Sequence, residues 1–158
     1  MSFFNFLSSL FGGAPAAPDW YVQTMNAVAG VLSAQVVWLP NNPLVAVFPL
    51  EADGKIYHAG ANLDGEAVIN VSVMSHYKGA GPGVANDLAL RNRALAYGAW
   101  MLIEGRIILK ADTLVRDCTP ERIVRIIQSL LPEVLAFDKE WLGQPAQVAP
   151  FVATPRLA

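Results

Sequence analysis

Charge is sparse in this chain, and positive charge is sparsest: of 158 residues, 11 are Lys or Arg and 13 are Asp or Glu, with no Lys or Arg before Lys55. The basic residues are scattered and never form a run, so the electrostatic footprint of a nucleic-acid binder is missing. Cysteine is limited to Cys118 and histidine to His58 and His76. A lone Cys excludes an intramolecular disulfide and fits a reducing compartment. Zinc needs three or four converging Cys, His or carboxylate ligands, and these three residues show no such spacing, so neither a metal site nor a cofactor is expected. No stretch reaches the ~20 apolar residues of a membrane-spanning helix. The N-terminus lacks the basic region that precedes the apolar core of a secretory signal. With a net charge of −2 and a pI near 5.6, the chain reads as cytoplasmic.

Catalytic patterns are missing as well. Ser8, Ser9, Ser33, Ser72, Ser75 and Ser129 stand outside any Gly-x-Ser-x-Gly context. Cys118 lies just before a helix start, where its pKa could be lowered; the favoured reading is a small, half-buried residue ahead of a cap. Asp112 and Asp117 have no recognisable partner and read as solvent-facing charge. No catalytic residue is expected, and the chain is not read as an enzyme.

What the chain does have is apolar surface. Hydrophobic residues make up 54% and charged residues 15%, both shifted toward burial relative to an average soluble domain. A chain this long buries roughly two-thirds of its unfolded surface. The surplus points to association, either in an oligomer or with a partner.

Composition divides the chain into an apolar segment with a Pro/Gly/Ala linker (1–18), a folded body (19–143) and a tail (144–158) carrying Pro145, Pro150 and Pro155. In the body, Asp19 caps a first helix with Tyr21, Met25, Val28, Ala29 and Leu32 on one face. A strand begins at 36–39 and is broken by Pro40-Asn41-Asn42-Pro43. Strands follow at 44–50, 55–61 and 66–77, joined by Asp53-Gly54 and by Asp64-Gly65. After the Gly-rich loop 78–83, a second helix is expected over 84–96. A hairpin over 100–113 turns at Glu104-Gly105, with Ile107, Leu109 and Ala111 on one face. Thr119, Pro120 and Glu121 open the last helix. Its stripe runs through Ile123, Ile126, Ile127, Leu130, Leu131, Val134, Leu135, Trp141 and Leu142, and Pro132 predicts a kink or break near Leu131. The expected class is α+β: an antiparallel sheet of about five strands with three helices packed against it, in the order α-βββ-α-ββ-α.

Two segments carry a family resemblance. LALRNRALAYGAWMLIEGRIILKADTLV (88–115) has a helix with an Asn- and Arg-containing stretch, then two strands about an acidic-Gly turn. CTPERIVRIIQSLLPEVLAFDKEWL (118–142) is an amphipathic closing helix. With the element order, 19–142 resembles the YbjN-like proteins and the class I type III secretion chaperones. The resemblance implies a non-catalytic, often homodimeric protein, chaperone-like or regulatory, that binds another protein through apolar surfaces; it transfers no catalytic or ligand residues. The apolar N-terminal segment, the Pro-rich tail and the Gly-Pro-Gly of the 78–83 loop stand apart from it.

Two places are candidate sites. Phe3, Phe4, Phe6, Leu7, Leu10 and Phe11 form an apolar cluster, and a helix placing Phe3, Phe6, Leu7, Leu10 and Phe11 on one side would expose roughly several hundred Å², more than a monomer usually leaves uncovered. It would dock on a partner protein or larger assembly; a membrane surface is disfavoured because no basic residue flanks it. The second place is the loop with Lys78, Gly79, Gly81 and Gly83, suited to an anion or phosphate at a helix N-terminus. It matches neither the Walker nor the dinucleotide pattern, and a connection needing unusual φ values explains it as well.

Overall fold

A computed structural model describes residues 16–79 and 81–142. Helix α1 (Asp19–Val31) is followed by strands β1 (Val37–Leu39), β2 (Asn42–Ala52), β3 (Lys55–Asp64) and β4 (Val68–Lys78). Helix α2 (Pro82–Ala94), strands β5 (Ala99–Ile103) and β6 (Arg106–Leu114), a 3₁₀ turn (Val115–Asp117) and helix α3 (Pro120–Leu142) complete it. The strands form one antiparallel sheet in the order β1-β2-β3-β4-β6-β5. The expected α+β class and element order are present, with a sixth strand.

That strand, β1, is the segment at 36–39. Pro40-Asn41 does end it, but as a tight turn that folds it back on β2, pairing Leu39 with Asn42 and Trp38 with Ala46. Pro49 sits beyond Val47, the last β2 residue paired with β1, where a missing N–H costs no ladder bond to that strand. The hairpins β2–β3 and β5–β6 each close on two residues with positive φ: Asp53 (52°) with Gly54 (73°), and Glu104 (50°) with Gly105 (74°). That is the turn whose twist matches paired strands.

All three helices lie on one face of the sheet. Tyr21, Met25 and Val28 of α1, Val84 and Leu88 of α2, and Ile123, Ile127, Leu130, Val134 and Phe137 of α3 meet Ala46, Phe48, Ile69, Val71, Val73, Ile107 and Leu109. Each fully buried large side chain among them contributes about 1.5–3 kcal/mol of transfer free energy.

Two helix expectations are corrected. Asp19 is the first residue of α1 rather than its cap, which is Pro18, and its charge still faces the positive end of the helix dipole. Helix α3 runs through Pro132 as one element rather than breaking into two, because its apolar stripe stays packed on the sheet on both sides of the proline. Thr119 caps α3 as expected, its hydroxyl accepting from the Arg122 N–H at 3.2 Å.

The opposite face carries no helix among the described residues, yet Val47 (0% exposed), Val45, Leu39, Ile108 and Met74 are buried on it, with Val37, Met101 and Ile103 packed against them. In a flat sheet β2 and β5 would stand about 19 Å apart, four strand spacings. Val45 of β2 and Met101 and Ile103 of β5 nevertheless line one cavity of about 150 Å³. The sheet therefore rolls toward a half-barrel, an accumulation of strand twist, and its two wings cover each other's side chains.

Candidate partner-binding surface

The sheet has two edges, β1 and β5, and edges are where a second chain can add a strand. At β5, Trp100 would present its backbone N–H and C=O outward. Asn92 of α2 takes both: its Oδ1 accepts from Trp100 N at 2.6 Å, and its Nδ2 donates to Trp100 O at 3.1 Å. The Asn-containing stretch singled out in the sequence thus closes one edge. At β1, among the described residues, no side chain bonds to the backbone of Val37, Trp38 or Leu39. Among the described residues this edge stays open.

Aromatic side chains flank the open edge. Tyr21 is fully buried, and its hydroxyl lies 2.8 Å from Leu44 O and 3.0 Å from Ala61 O, fixing the first turn of α1 over the start of β2. Burial raises its phenol pKa well above the usual tyrosine range. Its ring meets Trp38 of β1 edge-on at 5.9 Å and Trp20 at 5.8 Å. Trp20 is 41% exposed and Val31, at the other end of α1, 60%. The surface is therefore a backbone edge with Trp38 on its strand and Trp20 reached through Tyr21, the combination that strand addition uses: main-chain bonds for affinity, apolar side chains for selection. It was missed in the sequence because Trp20 and Trp38 become neighbours only through Tyr21.

The segment with Phe3, Phe4, Phe6, Leu7, Leu10 and Phe11 lies outside the described residues. Of the loop residues, Lys78 closes β4 opposite Arg106, Gly81 caps α2, and Gly83 is buried in its first turn. Gly81 has φ −112°, so no unusual φ explains that glycine. Gly79 has a steric reason instead: a Cβ there would stand 2.5 Å from the Tyr77 ring. Pro82 opens the helix without an N–H, and the Ala85 N–H is bonded to Gly81 O.

The remaining polar groups are tied into structure. Asp138, 3% exposed, accepts from the Tyr57 hydroxyl at 2.7 Å, from the His76 backbone N–H at 3.0 Å and from the Ser75 hydroxyl. Ser75 accepts in turn from Tyr77 N–H at 2.9 Å. This clasp pins the end of α3 to β3 and β4. Burial and then the bond to Asp138 raise the Tyr57 phenol above its usual range. A second clasp joins α2 to α3: Arg91 Nε meets Asp87 at 2.8 Å, Trp141 Nε1 donates to the same carboxylate at 2.7 Å, and Arg91 also pairs with Glu140 while lying over the Phe137 ring. Asp112 is 3.5 Å from Lys110, and Asp117 lies 3.8 Å from Arg116.

Cys118 is half-buried, and burial raises its thiol pKa against a smaller opposing pull from Arg122. Its place before α3 does not activate it. Among the described residues no three His, Cys, Asp or Glu side chains converge on a metal position. No described helix is long and apolar enough to cross a membrane.

No protein-family model and no curated protein sequence matches the chain. Solved structures do. A chain of the HopA1–SchA chaperone–effector complex is similar with a TM-score of 0.57 at 13% identity, over 76% of this chain and 94% of that one. A chain of the ExsC–ExsE complex gives 0.55 at 18%, over 77% and 96%. A chain from the complex of the Yersinia pestis type III secretion chaperone SycH with a stable fragment of YscM2 gives 0.53 at 12%, over 73% and 98%. The chain has the fold found in a chain of each of these three complexes.

Proposed function

We propose that this protein is a non-catalytic, chaperone-like binding module that holds an extended segment of another protein along the open β1 edge. The observation that carries this reading is the asymmetry of the sheet. Asn92 covers the β5 edge at Trp100, while no side chain among the described residues covers β1, which lies by exposed Trp20 and half-buried Trp38. The shared fold supports it, because solved chains of that fold occur in complexes with partner proteins. The segment with Phe3, Phe4, Phe6, Leu7, Leu10 and Phe11, which precedes α1 in the sequence, would add apolar contact to the same partner. We further propose a homodimer as the working unit, since the apolar excess of the whole chain is more than one copy needs.

The test is capture of partners from the native host on immobilised full-length chain. Trp20→Glu and Trp38→Glu should lose the captured protein, whereas Glu133→Lys, on the exposed side of α3, should retain it. Undiminished capture by both edge variants would sink the reading.

A further inference from the structure

The rolled, helix-free face holds a cavity of about 150 Å³ that the partner-binding reading does not use. Its floor is made of small residues: Gly60 stands between Val47 and Ser72 in adjacent strands, so the centre of the face has no large side chain. Its walls are apolar, from Val45 on one wing and Met101, Ile103 and Ile108 on the other. At one end the polar groups gather. Asn62 and Asn70 face each other across β3 and β4, Ser72 is paired with Lys110 across β4 and β6, and Lys110 is the only charged residue in the lining.

An engineered protein cavity of about 150 Å³ takes up benzene when it is wholly apolar. This one has the same size with an ammonium group and two amides added at one end. We propose that it binds a small carboxylate whose apolar body has the bulk of a benzene ring, the body lying over Gly60 between the wings and the acid group meeting Lys110. Asp112 lies 3.5 Å from Lys110 but is not part of the lining, so it orients the ammonium from outside and leaves the lysine's other donors for the ligand.

Benzoate and benzyl alcohol serve as probes, titrated at constant ionic strength into the full chain while backbone amide resonances are followed. Benzoate is expected to shift the amides of Gly60, Ser72, Ile108 and Lys110 and to bind about tenfold more tightly than the alcohol, the worth of one charge-assisted hydrogen bond. Lys110→Met should erase that preference and still bind the alcohol. Ser72→Leu fills the floor and should abolish both; if it does not fold, Ile103→Trp, which crowds one wall, replaces it. Absence of localised shifts at tens of millimolar benzoate overturns the site, and so does a preference that survives Lys110→Met. Shifts of the same amides on dilution alone, with none on adding benzoate, would mean that a second copy covers this face and would equally overturn it.

Discussion

Asp138 is the residue on which most depends at the smallest scale. Its carboxylate accepts from Tyr57, Ser75 and the His76 N–H, donors on two strands that lie more than 60 residues away in the chain. Asp138→Ala leaves all three without their acceptor in or near the core and should cost about 3 kcal/mol, measured by chemical denaturation. A Tyr57→Phe change removes only one donor and should cost less, about 1 kcal/mol. His58 acts through pH. Burial, and then the neighbouring His76, lower its pKa below the ordinary 6.5. The unfolded chain therefore takes up this proton more readily than the folded one. The His58 contribution is present above pH 6.5 and is lost as pH falls below it. Denaturation midpoints should drop between about pH 7.5 and pH 5.5, and drop less in His58→Gln.

At the scale of elements, two features set stability against specificity. Pro132 has no N–H to give the Gln128 carbonyl one turn earlier in α3, and a proline inside a helix costs ~3 kcal/mol. Pro132 is exposed, so Pro132→Ala should raise stability by about 1–3 kcal/mol without disturbing the core, read as a higher denaturation midpoint. Asn92 works the other way. Asn92→Ala would expose the N–H and C=O of Trp100 at the β5 edge. The expected result is a loss of about 1–2 kcal/mol together with concentration-dependent self-association in sedimentation velocity. A loss of stability without association would show that α2 itself, rather than the Asn92 side chain, covers this edge.

For the molecule as a whole, one face of the sheet carries all three described helices and the other rolls onto itself. That division leaves the β1 edge as the open margin and places the small cavity on the far side from the helices. Light scattering of the full chain should give about twice the 17.0 kDa of one copy. A mass of one copy at all concentrations would remove the dimer from the proposed function and leave the edge to act alone.

Local chemistry written in consecutive residues was legible from the sequence by itself. Asp53-Gly54 and Glu104-Gly105 announce two-residue hairpins because few residue pairs accept two positive φ angles in a row. Thr119-Pro120-Glu121 announces a helix start, and the alternation of Ile69, Val71 and Val73 announces a face. Element order and class follow from these signals. Only the tertiary structure decided what depends on distant partners. Phe137 and Asp138 interrupt the aliphatic stripe of α3, yet both are buried because β3 and β4 supply a ring and three donors. Asn92 looks like any polar helix residue until β5 arrives beside it. Trp20 and Trp38 become one surface through Tyr21, and the roll of the sheet, which makes the cavity, is a sum of small twists over six strands. Short-range order is set by backbone geometry within a few residues, whereas edges, clasps and cavities exist only once residues many positions apart share the same space.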